Sequence, residues 1–383
     1  MSAAGAAGLV LSAIWIGALA FHLGSAAAAL SQAQHRRRRA RPVRERPPVS
    51  IIVPTRETEP GFRARLHELA SLDYPDYEII VAVERAEPEA ERALAALPAT
   101  RTARVRLNVD GARHTFNPKV NVQVAAYRMA AHDLILMTDD NVRSPPGRID
   151  ALLPYLGGEV GLVSAIAVAV DAEGLAAEIE ASFQNGYGAR FLLAGDRLGQ
   201  SVAMGKTLLF RKHDLDRAGG ILALAEGMAE DSVIRERLAA IGLSTALAPE
   251  PALQPLGRRR FAAVFARQLR WMGARRWHTP FAFWTEPLHG AVFCAAAAGL
   301  AAELLLGGGF LAGLAATWLL WLGIDAACTR ALGWPLFWRY PLAFTLRELM
   351  LPVLWAATLT ARQVTWRGNT VPLRPRSAAP GGR

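Results

Sequence analysis

The chain has little cysteine: two residues, Cys294 and Cys328, in 383. Both fall in apolar C-terminal stretches, so there is no disulfide framework and no metal-ligand spacing. Zinc chemistry is excluded, and the soluble part suits a reducing compartment. Charge is scarce too. Charged residues make up 20% of the chain and hydrophobic ones 52%, against ~25% charged in ordinary soluble domains. Mean hydropathy is +0.18. A disordered or fibrous chain is excluded, and a purely soluble enzyme does not fit. Acids are outnumbered, 33 against 43 basic residues, for a net charge of +10. Lysine is nearly missing: Lys119, Lys206 and Lys212 are the only three, and every other cationic side chain is arginine. No internal repeat or low-complexity linker stands out.

What is present comes in blocks. The uncharged stretch 8–30 is followed by seven arginines between Arg36 and Arg46, opposed only by Glu45. About 20 apolar residues span a bilayer, and basic flanks mark the cytoplasmic end. A cleaved signal peptide carries its charges before the apolar run. This segment should therefore remain as an anchor, with its N-terminus outside. Nucleic-acid binding would want such a cluster on a soluble fold with a recognition element, so no nucleic-acid partner is expected.

Residues 258–284 interleave arginines with aromatics, which suits a helix lying in the membrane interface; a plain cationic surface helix is the alternative. Apolar stretches follow at 288–306, 307–327 and 340–361. The last contains Arg347 and Glu348, which are costly in mid-bilayer. The tail after Ala361 carries arginines and no acid. The expectation is three full crossings, with 340–361 re-entrant or at the cytoplasmic interface, Arg347 and Glu348 at the active-site mouth, and the tail inside.

Between the anchor and residue 258, short β-branched runs alternate with helix-period stretches. Strands are expected at 47–57, 78–83, 104–109, 134–138 and 161–170, and helices at 62–71 and 120–131. This pattern predicts an α/β fold with a mostly parallel sheet. Ligands of such sheets sit beyond the carboxyl ends of the strands. That singles out Pro54 to Glu57, Glu84 to Glu87 and Asp139 to Arg143.

Several residues there could carry chemistry. Asp139, Asp140 and Asn141 follow the strand LILMT; acids at a strand end can hold a divalent cation that holds a diphosphate, or simply form a turn. Asp231, in the triplet AED before a helix-like run, is either a helix-capping acid or a general base. Asn117, Pro118 and Lys119 open a helix, where a lysine can meet phosphate or solvent. Residues 204–207, MGKT, end like a nucleotide-binding P-loop. That reading fails, because Gln200 stands where the first glycine belongs and a strand-like TLLF follows where a helix is required. Arg267 and Arg270 lie i and i+3 on one helix face with Trp271 adjacent, an arrangement suited to a diphosphate and a sugar or lipid surface.

Taken in order, NPKVN (117–121), TDDNVR (138–143), GKTLLFRKHDLDRAGG (205–220), AED (229–231), RQLRW (267–271) and LPVLW…TWRGN (351–369) resemble the ceramide glucosyltransferase family, bacterial type, within the family-2-like GT-A membrane glycosyltransferases. The resemblance covers residues 48–368. It implies a GT-A domain at 35–257 between an N-terminal anchor (1–34) and C-terminal membrane helices (287–361). The interfacial RxxRW region would occupy 258–286 and a basic cytoplasmic tail 362–383. It implies inverting transfer of a hexose, glucose or a close relative, from a UDP-sugar to the primary hydroxyl of a ceramide-like membrane lipid, at the cytoplasmic face of the inner membrane.

The implied catalytic residues are Asp231 as general base, with Arg270, Trp271 and Arg267. Nucleotide-sugar binding would fall to Pro54, Glu84, Asn117, Lys119 and Asp139. Asp139 and Asp140 would hold Mg²⁺ or Mn²⁺. Glu84 stands where the family has its first aspartate, Gly188 where animal members have a histidine, and Asn141 where many GT-A proteins have a second aspartate. Other readings are the same chemistry on a hopanoid or diacylglycerol, a processive polysaccharide synthase, and a non-catalytic lipid-binding protein.

Overall fold

The computed structural model describes residues 2–38, 42–43, 45–55, 61–97, 104–200, 202–227, 229–361, 363–366 and 369–372. Arg39, Arg41 and Arg44 of the basic cluster, Glu57 and most of the basic tail lie outside the described residues. The chain divides into two compact units. One comprises residues 34–170, 199–255 and 362–383, the other 1–33, 171–198 and 256–361.

The strands in chain order are β1 (Val49–Thr55), β2 (Tyr77–Val83), β3 (Arg104–Val109), β4 (Leu134–Thr138), β5 (Val160–Ser164), β6 (Ala167–Glu173), β7 (Thr207–Arg211), β8 (Ser244–Leu247), β9 (Ala252–Arg258), β10 (Gln363–Trp366) and β11 (Asn369–Pro372). Seven build the first unit's sheet in the order β3-β2-β1-β4-β7-β5-β8. Neighbours are parallel, except that β7 runs antiparallel to both β4 and β5. The expected mostly parallel α/β sheet is present. The continuous apolar run 161–170 does not form one strand. The chain leaves the sheet after Ser164 and re-forms as β6, which pairs with β9. Both halves are apolar, so hydropathy alone carried no sign of the break.

Side-chain alternation sorts the strand residues into two layers. Val49, Ile51 and Val53 pack with Phe62, Leu66 and Leu69 of helix Phe62–Leu69 and with Ala90 and Ala93 of helix Pro88–Ala95. Ile52, Ile80, Ile135 and Met137 face the other way, onto Val120 and Val124 of helix Pro118–Met129 and Val233 and Ile234 of helix Glu230–Ala240. Each fully buried isoleucine contributes about 1.5–3 kcal/mol. Burial on both faces is why these strands read as unbroken apolar runs.

The second unit is helical. Among the described residues, four segments are long and apolar enough to cross a membrane: Ala3–Arg38, Pro280–Leu306, Phe310–Ala331 and Tyr340–Thr360. The last is one unbroken helix of 21 residues, about 31 Å long at 1.5 Å per residue, without the turn a re-entrant segment needs. Arg347 and Glu348 are both 1% exposed, so neither faces an opening. Arg347 donates to Asp325 at 2.8 Å, to the Ser182 carbonyl at 3.0 Å and to Glu348 at 2.6 Å. Tyr340 donates to the same Asp325 oxygen at 2.7 Å, and Glu348 accepts the Ala291 N–H. These paired charges satisfy one another, which lets an apolar helix carry them. Gly186, within the π-helical turn Ser182–Ala189, permits the approach: a Cβ there would lie 2.6 Å from the Asp325 carboxylate.

Candidate active site

The sheet brings together residues that lie far apart in sequence. β4 ends at Thr138, and the antiparallel β7 begins at Thr207, paired with Thr138. One step beyond that pair, Asp139 and Lys206 face each other, and the Asp139 N–H donates to the Lys206 carbonyl at 3.3 Å. β7 therefore starts at the sheet edge where the parallel strands end. Lys119 reaches the same place from the first turn of helix Pro118–Met129. Asn117 caps that helix, accepting from the N–H groups of Lys119 and Val120 and donating to the Gly227 carbonyl. Its amide thus fixes the turn that carries Lys119.

Asp139 is gripped from both sides. Lys119 Nζ lies 2.9 Å from one carboxylate oxygen and Lys206 Nζ 2.9 Å from the other. Lys119 also contacts Glu230 at 2.5 Å, and Lys206 donates to Asn141 Oδ1 at 2.9 Å. Burial works to raise the Asp139 pKa, but the two ammoniums outweigh it and hold the carboxyl well below its usual range. Burial likewise opposes charge on Lys119, while Asp139 and Glu230 hold its pKa above the ordinary lysine value.

Asp231 is the second residue of helix Glu230–Ala240. Its carboxylate accepts the Gly205 N–H at 2.7 Å and the Ser232 N–H at 2.8 Å. Burial, then the negative charge of Glu230, push its pKa from 3.8 up to about 6. That value suits an acceptor of protons near neutral pH. Gly205 sits at the convergence: a Cβ there would lie 3.0 Å from Glu230 Oε1, 3.3 Å from Asp231 Oδ2 and 3.4 Å from Lys119 Nζ.

The other expected nucleotide residues lie at strand ends. Pro54 is buried in β1, paired with Ala82 of β2. Glu84 follows β2 directly, and its carbonyl lies 3.1 Å from where a Cβ on Gly111 would stand. Asp140 is buried, with its carbonyl accepting from Arg65 at 2.8 Å. In the second unit, Arg267 on helix Phe261–His278 donates to Glu180 at 2.6 Å. Glu180 is fully buried, so Arg267 is tied to a structural carboxylate. Arg270 and Trp271 lie about one turn further along, partly buried.

The sequence offers Lys206 and Gly205 only within the P-loop-like MGKT and Glu230 only within the triplet AED, and singles out none of the three as a site residue. Lysine scarcity was the available signal, because two of the three lysines converge here.

A divalent ion does not fit at Asp139 as it stands, because both its carboxylate oxygens are engaged by ammoniums; Asp140, buried beside it, is the remaining carboxylate of the pair that the resemblance implies. Among the described residues no three acidic, histidine or cysteine side chains cluster as metal ligands.

The chain is 26% identical over 330 residues to ceramide glucosyltransferase 1 of Caenorhabditis elegans, covering 84% of this chain and 71% of that protein. It is 25% identical over 330 residues to ceramide glucosyltransferase 3 of the same organism, covering 84% and 72%. Among solved structures it is similar to the mannosyltransferase PcManGT from Pyrobaculum calidifontis, solved in complex with GDP-Man and Mn²⁺. There the TM-score is 0.53 and the identity 20%, with 88% of this chain and 99% of that one covered. That likeness shows the GT-A-like glycosyltransferase fold. Residues 16–379 match the profile of glycosyl transferase family 21, and the chain belongs to that family of glycosyltransferases.

Proposed function

We propose that this glycosyltransferase moves a hexose, glucose, from a UDP-sugar to the primary hydroxyl of a ceramide-like lipid, with inversion, at the cytoplasmic face of the inner membrane. The observation that carries the reading is Asp231. It is a carboxylate with raised proton affinity, held by two backbone N–H groups, in the same cluster as the cations at Asp139.

A primary alcohol is a poor nucleophile until a placed base takes its proton, an effect of typically 10²–10⁴-fold. Asp231 takes that proton as the hydroxyl oxygen attacks the anomeric carbon. The bond to the UDP oxygen breaks, and its electron pair leaves with the diphosphate. The growing negative charge needs fixed positive charge nearby, and Lys119 and Lys206 supply it. Glu84 is assigned to the uracil imide, and Arg270 and Trp271 to the leaving diphosphate and acceptor, following the resemblance. The names of the two nematode relatives support ceramide and glucose as the substrates to try first. No step runs through Mg²⁺ or Mn²⁺.

The test is mass spectrometry of lipids formed by the purified full-length protein, given a panel of UDP-sugars and a mixture of ceramide, diacylglycerol and hopanoid acceptors. Hexosylceramide is the expected product. Glycosylated diacylglycerol or hopanoid in its place would overturn the acceptor, and no UDP release with any lipid would overturn the function.

A further inference from the structure

We infer that Lys206 is the direct ligand of the donor's diphosphate, with Lys119 as the positioning residue that holds Asp139 and Glu230, so that nucleotide binding here needs no divalent ion. The inference rests on the proposed nucleoside-diphosphate donor and goes beyond it.

Hydrogen-bond capacity separates the two lysines. An ammonium has three N–H bonds. Those of Lys119 are directed at Asp139, Glu230 and, more weakly, the Gly205 carbonyl at 3.4 Å. Lys206 commits two, to Asp139 and to Asn141 Oδ1, and its third remains for an incoming oxygen. Its side chain is 14% exposed, enough for contact and little enough for screening to be weak.

A divalent ion at Asp139 would have to displace an ammonium from a carboxylate whose two oxygens already meet Lys119 and Lys206. Asn141 adds to this. A carboxylate there would draw a metal, whereas the amide oxygen accepts from Lys206 and fixes its position without adding charge. The backbone contributes the last element: β7 enters antiparallel in a register that puts Lys206 across from Asp139.

The experiment is calorimetric titration of the purified full-length protein with UDP and with uridine, in EDTA and in Mn²⁺, for wild type and Lys206→Met. Wild type should bind UDP within about twofold equally in the two conditions. Lys206→Met should lose about tenfold or more of its UDP affinity in EDTA, the loss expected on removing a charge-assisted hydrogen bond. Its uridine affinity should stay the same, and Lys206→Arg should recover part of the loss. UDP binding by wild type only in Mn²⁺, an unaffected Lys206→Met, or equal weakening of UDP and uridine would each overturn the inference while leaving the UDP-sugar reading intact. Absence of UDP binding under every condition would sink both.

Discussion

Asp231 offers the sharpest test of the site. With its pKa at about 6, it is ionised at pH 7.5 and mostly protonated at pH 5. A general base acts only when deprotonated, so kcat/KM should fall as pH drops through 6. The loss is about tenfold per pH unit, leaving roughly a tenth of the plateau rate at pH 5. The phosphates of a UDP-sugar stay ionised across this range, so the acidic limb belongs to the protein. Burial and Glu230 raise this pKa, so Glu230→Gln should move the limb to lower pH. Asp231→Asn should cost at least about 10²-fold in turnover while UDP still binds.

Stability supplies an independent readout. An acid whose folded pKa is raised costs stability when ionised. For Asp231 the cost is absent below about pH 4 and fully present above about pH 6. A shift from 3.8 to about 6 corresponds to roughly 3 kcal/mol at most. Asp231→Asn should therefore melt no lower than wild type at pH 8, and its advantage should shrink at pH 4.5. A flat rate profile from pH 5 to 7, or more than about a tenth of wild-type turnover in Asp231→Asn, would refute the assignment.

Glu84→Gln should weaken UDP and UDP-sugar alike by about 1.5–3 kcal/mol, the worth of a hydrogen bond to a charged group; unchanged calorimetric affinity would remove Glu84 from the site. Gly205→Ala places a Cβ 3.0 Å from Glu230 and 3.3 Å from Asp231, so turnover should fall while the melting temperature changes little, and wild-type turnover would show that the cluster yields freely. Arg347→Met strips Asp325 and Glu348 of their shared cation and should destabilise the protein by about 3–5 kcal/mol, read as a lower melting temperature in detergent; an unchanged melting point would show that Tyr340 and Arg190, whose guanidinium lies 3.6 Å from the other Asp325 oxygen, compensate.

The central strands were legible because burial on both faces writes itself as β-branched apolar runs, as in residues 49–53 and 134–138. Asp139 was legible for a related reason: an acid directly after such a run marks a strand end, where parallel sheets place ligands. The helix start at Pro118 followed from proline's preference for the first turn. Lys206 was not legible. Its nearness to Asp139 depends on β7 reversing direction within an otherwise parallel sheet, and the local sequence of an antiparallel strand does not differ from that of a parallel one. The P-loop reading of residues 204–207 failed for a sound reason, since a strand follows, yet the same lysine reaches the candidate site by another route. Arg347 and Glu348 have partners that are hidden in the same way. Read along the helix they look like unpaired charges that should avoid the bilayer, but their partners Asp325, Ser182 and Ala291 lie 22 to 165 residues away.

The rarity of lysine then acquires a physical meaning. A chain that otherwise uses only arginine places two of its three lysines against one carboxylate. Arginine's planar fork presents donors in a fixed geometry and needs room for a bidentate partner, whereas an ammonium is compact and points three donors at separate acceptors. Lys119 has Asp139 and Glu230 at 2.9 and 2.5 Å from a single nitrogen, with the Gly205 carbonyl near by. A guanidinium could not satisfy these acceptors from one atom, and its extra width would press on Gly205, where even a Cβ would crowd the carboxylates. The same compactness suits Lys206, which binds Asp139 and Asn141 and keeps a donor for a third oxygen. The site thus selects against the cation the rest of the sequence prefers, and it does so because small point charges can bind several carboxylate and amide oxygens at once.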